Sequence, residues 1–160
     1  MGSGSEILRH SRTTTKCSAA LGAEKSRRIL QEEGCEDAAF LEHVSEIVRT
    51  HRYRGSLKPV TPESCIVYDA DKLDSLGAFG VARAFHFAGR IGACLHNSEQ
   101  DALASESYSS QDSAYREYLV KLRGLPDHLL TDPARRLAAD RAAFMRAFFD
   151  RLNEEQEGLR

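Results

Sequence analysis

The sequence has no surplus of charge of either sign. It carries 22 Lys+Arg against 24 Asp+Glu, a formal net charge of −2. A dedicated nucleic-acid binder would show a basic excess, so no nucleic-acid polymer is expected as a partner. Local charges can still hold a small anion. No apolar run approaches the roughly 20 residues that span a bilayer, so no membrane is expected either. No apolar stretch follows Met1-Gly2-Ser3-Gly4-Ser5, so this start is not expected to be a secretory signal. The stretch is read as part of a flexible segment, residues 1–14, and as either a cloning scar or a late start codon. The four cysteines, Cys17, Cys35, Cys65 and Cys94, form no C-x-x-C pair, which argues against a zinc ribbon or redox dithiol. Without a secretory signal they are expected to be reduced, in a cytoplasmic setting.

Strand signals are also missing. No alternating apolar pattern persists and no Asn-Gly or Asp-Gly dipeptide marks a hairpin. The four prolines, at 59, 62, 126 and 133, fall where helices should start or be interrupted. With 41% hydrophobic and 29% charged residues over 160 positions, the chain reads as one globular domain, all-α, over residues 15–156.

What is present is helical periodicity. A first helix is expected over 15–33, closed by Gly34 in the left-handed conformation. A second is expected over 36–51, with Phe40, Val44, Ile47 and Val48 on its apolar face. Residues 52–60 read as a loop. Thr61 has the character of an N-cap, with Pro62 in the first turn and Glu63 adding favourable charge. The third helix then runs to about Leu76, and Gly77 and Gly80 bracket a bend or close contact. Another helix continues through Val81, Phe85 and Ala88. The small, polar stretch 92–110 reads as a mobile loop. A helix over 111–122 follows. Thr131-Asp132-Pro133 starts a last helix to about Glu155, with Leu137, Phe144, Phe148 and Leu152 along one face.

Chemistry concentrates in two places. On the third helix, Val67, Asp71 and Asp74 share a face beside a stripe of Ile66, Ala70 and Leu73. Carboxylates beside an apolar stripe cost free energy unless they pair or bind a cation. Pairing with Arg or Lys at the helix edge is one reading and cation binding the other. On the second helix, His43 and His51 extend one stripe. His43 reads as a half-buried histidine with one hydrogen bond. His51 opens the segment Arg52-Tyr53-Arg54-Gly55, whose histidine, arginines and glycine suit phosphate contact, or equally a solvated basic loop. His86, His96 and His128 show no mutual ligand spacing and read as surface or capping residues. No G-x-x-x-x-G-K-[ST], G-x-S-x-G or H-E-x-x-H occurs.

The run Asp69-Ala70-Asp71-Lys72-Leu73-Asp74-Ser75-Leu76-Gly77-Ala78-Phe79-Gly80-Val81-Ala82-Arg83-Ala84-Phe85 resembles the signature of HD-domain metal-dependent phosphohydrolases, in the branch that includes nucleotide pyrophosphohydrolases. The likeness extends over nearly the whole chain from about Thr15. It implies an HD-domain-like helical bundle and a divalent ion held by a histidine, a His-Asp dipeptide and a later aspartate in an Ala-Asp-x-Leu context. Ala70-Asp71-Lys72-Leu73 is that context, so the resemblance makes Asp71 a metal ligand and catalytic residue. Asp74 and His51 are then candidate catalytic groups, Arg52, Arg54 and Lys72 candidate substrate contacts, and Asp69 a group in the ligand's surroundings. The implied metal is Mn or Mg, with Fe, Co or Ni as alternatives.

No His-Asp dipeptide occurs in the sequence. The resemblance places the family's first histidine and its His-Asp pair upstream of the region that begins here, so the domain is expected to be N-terminally truncated. His10, His43 and His51 are candidates for partial compensation. Two functions follow. One is a phosphohydrolase of small phosphorylated substrates, nucleotides among them, with weak or no turnover from these residues alone. The other is an inactive helical module that acts by binding or as a homodimer, through apolar surface left exposed.

Overall fold

A computed structural model describes residues 18–52 and 57–159 of the chain. The described residues are helical and contain no strand, as the sequence predicts. In chain order they form α1 (Ser18–Glu32), α2 (Ala38–Thr50), α3 (Pro62–Leu73), α4 (Gly77–Arg90), α5 (Glu99–Ala104), α6 (Ala114–Val120), a 3-10 turn (Leu122–His128) and α7 (Asp132–Gln156). None of these helices is long and apolar enough to cross a membrane. The sequence expectations for segment 1–14, for His10 and for Arg54 lie outside the described residues.

The chain divides at Arg49/Thr50 into two compact units. In the first, α1 is followed by Gly34, whose φ of +89° suits a residue without a side chain. The Arg27–Glu42 ion pair, 2.5 Å, joins α1 to α2. The expected apolar face of α2 is rotated by one position. Leu41 and Ser45 are buried, whereas Phe40 is largely exposed and Val44, Ile47 and Val48 are half-buried.

The second unit holds the main core. Phe149 on α7 is fully enclosed and sits among rings from α4 and α6. Tyr118 stacks on it at 4.4 Å between centroids, Phe85 at 6.3 Å, and Tyr115 lies tilted at 5.6 Å. The buried stripe of α7 runs Ala134, Ala138, Met145, Phe149. The expected stripe is therefore displaced by one residue: Leu137 and Phe144 face outward, while Phe148 and Leu152 pack on the core's margin. Small alanines carry the inner face because α7 lies close against its neighbours there, a constraint that hydrophobic spacing does not reveal.

The α3–α4 connection is tight. α3 ends at Leu73, earlier than the periodicity predicts, and the chain turns through Asp74-Ser75-Leu76. Gly80 makes this turn feasible, since a Cβ there would lie 2.2 Å from the Ser75 carbonyl oxygen. The stretch 92–110, expected as a loop, contains α5 and is laced by hydrogen bonds. Arg116 donates to the Ser105 carbonyl and the Ser107 hydroxyl, and Cys94 N–H donates to the Asp112 carbonyl.

Candidate functional site around Asp71

α3 starts as its sequence dictates. Thr61 is extended, its hydroxyl accepts from Ser64 N–H at 3.3 Å, and Pro62 occupies the first turn. What α3 buries is unusual. Ser64, Asp69 and Lys72 are its buried residues, while Ile66 is 59% exposed and Val67 and Ala70 also face outward. The helix thus turns an apolar strip to its exposed side and encloses two ionisable groups, each of which must find partners.

Asp69 finds them at the start of α7. Its Oδ1 accepts from Leu130 N–H at 2.9 Å, and its Oδ2 accepts from Thr131 N–H at 2.8 Å and from the Thr131 hydroxyl at 2.7 Å. Thr131 in turn caps α7 through Ala134 N–H. The Asp69 carboxylate is engaged in joining α3 to α7 and is only 2% exposed.

Lys72 is enclosed to a similar degree, with 1% of its side chain exposed. Its ammonium donates to the His51 backbone carbonyl and to Asp71 Oδ2 at 3.2 Å, and lies 3.6 Å above the centre of the Tyr68 ring. Burial pushes the Lys72 pKa below the usual lysine range, and Lys121 adds to this. The Asp71 hydrogen bond and the Asp71 and Asp69 charges oppose it.

Asp71, on the adjacent position, keeps its carboxylate 57% exposed. Of its two oxygens, Oδ2 meets the Lys72 ammonium and Oδ1 is engaged by no described residue. Asp74, one turn on, pairs with Arg83 of α4 at the surface. The structure therefore brings Asp71, Lys72 and the His51 backbone together. Asp74 is set apart with Arg83, and Arg52 is exposed. Both acidic residues on this face have a basic partner, one of the two readings the sequence left open. His43 is half-buried, His86 and His128 are exposed, and His96 bonds Asn153 at 2.8 Å and stacks on Tyr115. Beside the end of α3, a cavity of about 390 Å³ is lined by Asp74, Leu76, Gly77, Ala78, Phe79 and Arg141. Arg141 closes one wall by donating to the Leu73 carbonyl at 2.6 Å.

Tyr68 was not singled out from sequence, although its i, i+4 spacing to Lys72 is a readable signal for such a contact. The Asp69–Thr131 bond left no local signal, because its partners are 62 residues apart.

A divalent ion needs three or more protein ligands, or fewer with substrate oxygens and water. Asp71 suits one of those positions as a hard, exposed oxygen donor with one oxygen available. Among the described residues no group of three His, Cys, Asp or Glu converges on one point. The described part of the chain thus offers one donor rather than a full ligand set.

No protein-family model matches the chain. The YpgQ protein of Bacillus subtilis (strain 168) is 41% identical over 110 residues, which are 68% of this chain and 48% of YpgQ. The chain therefore spans about half the length of that relative. The crystal structure of B. subtilis YpgQ in complex with ADP superimposes with a TM-score of 0.65 and 32% identity, over 83% of this chain and 63% of that one. An HD-superfamily hydrolase from Bacillus thuringiensis superimposes with a TM-score of 0.63 and 26% identity, over 85% and 63%. The all-helical fold, these likenesses and the Ala70-Asp71-Lys72-Leu73 run on α3 converge: the chain belongs to the HD-domain family.

Proposed function

We propose that this chain is part of a metal-dependent phosphohydrolase acting on small phosphorylated compounds, nucleotides foremost, in the cytoplasm. The observation that carries this reading is the contrast along α3. Asp69 and Lys72 are spent on internal contacts, whereas Asp71, in the Ala-Asp-x-Leu context, presents a carboxylate outward. The nucleotide class is supported by the ADP complex of YpgQ, which shares this fold.

In this reading Asp71 supplies one carboxylate to a divalent ion, Mn or Mg. The ion, when bound, would polarise a phosphoryl oxygen and activate water. The chain's own residues hold the Asp71 oxygen in place and offer positive charge nearby. Arg52, an exposed residue next to His51, whose carbonyl Lys72 grips, is a candidate for contact with a phosphate. His51 and Arg54 remain candidates for contact with substrate, and Asp74 for a supporting carboxylate.

The test is direct binding rather than turnover. Mn²⁺ titrated into the purified chain and followed by electron paramagnetic resonance should bind weakly, and Asp71→Ala should weaken it at least about tenfold. Asp74→Ala should change it little. Equal binding by wild type and Asp71→Ala would remove the metal role from Asp71. Added nucleoside triphosphate should give slow Mn²⁺-dependent hydrolysis at most from these residues alone.

A second reading, a binding or self-associating module, draws on one observation: Ile66 and Val67 are exposed on α3 beside buried charged residues. Sedimentation equilibrium separates the two, since a monomer at all concentrations argues against self-association.

A further inference from the structure

We draw no further inference here: the strongest candidate, the exposed aromatic pair of Phe87 on α4 and Tyr108 between α5 and α6, whose rings meet edge-on at 5.7 Å between centroids with Tyr108 at a φ of +65°, is an apolar patch, and nothing in the structure shows what covers it.

Discussion

α3 and α7 both start at a threonine cap with a proline in the first turn, yet they use burial in opposite ways. α7 encloses alanine, methionine and phenylalanine, and its stability comes from removing apolar surface from water. α3 encloses a serine, an aspartate and a lysine, and leaves isoleucine and valine outside. Its place in the fold depends on directed bonds: Asp69 to Leu130 and Thr131, and Lys72 to His51, Asp71 and the Tyr68 ring. Apolar burial tolerates small shifts, whereas a buried charge with named partners defines position closely and is costly to leave unpaired. It is the directed helix that carries the candidate site.

The contrast can be broken most severely at the centre of α7. Phe149→Ala should cost about 3–5 kcal/mol, as a fully enclosed ring leaves a cavity. Phe144→Ala, five positions earlier on the outward face, should cost less than about 1 kcal/mol. Urea unfolding of the two variants measures the difference, and equal costs would contradict the stripe assigned to α7.

On α3, Asp69→Ala should destabilise by about 3 kcal/mol, because it removes a carboxylate that accepts three hydrogen bonds and leaves two backbone N–H groups at the start of α7 unpaired. Loss of amide-exchange protection should be greatest at Leu130 and Thr131. Protection unchanged there would contradict the link between the helices.

The Lys72 ammonium offers a pH test. Its folded pKa lies below its unfolded value near 10.5. Between the two the unfolded chain binds more protons, so stability rises with pH across that window. Below it the burial penalty is constant, and above about 10.5 it is gone. The stability of wild type relative to Lys72→Met should therefore improve from neutral pH toward 10. Burial raises the Tyr118 pKa and removes stability at high pH, but it does so in both proteins and cancels in the difference. A flat difference curve would show that Lys72 titrates as it does in water.

The smallest effect belongs to the cap of α3. Thr61→Ala should cost about 1 kcal/mol, through loss of the acceptor for Ser64 N–H. A thermal melt reads this as a shift of a few degrees.

Local rules account for the parts of this molecule that were legible in advance. The all-helical class followed from absent strand signals. The Thr61-Pro62 and Thr131-Asp132-Pro133 starts, and the end of α1 just before Gly34, followed from capping chemistry that acts within a turn. The family followed from the run around Asp71. Facing was harder. Leu137 and Phe144 promised a core face that the structure gives to Ala138, Met145 and Phe149, because neighbouring residues share similar hydrophobicity and packing distance decides between them. Of the two readings left open for the acidic face of α3, the structure shows pairing with basic residues, Asp71 with Lys72 and Asp74 with Arg83.

The amino-acid sequence by itself determined which segments are helical and where several of them begin, because these depend on contacts a few residues apart. Only the tertiary structure decided that Asp69 is bound to the start of α7 and that Lys72 is enclosed against His51. Those bonds join residues 21 to 62 positions apart, and no local pattern encodes which distant backbone group a buried charge will meet.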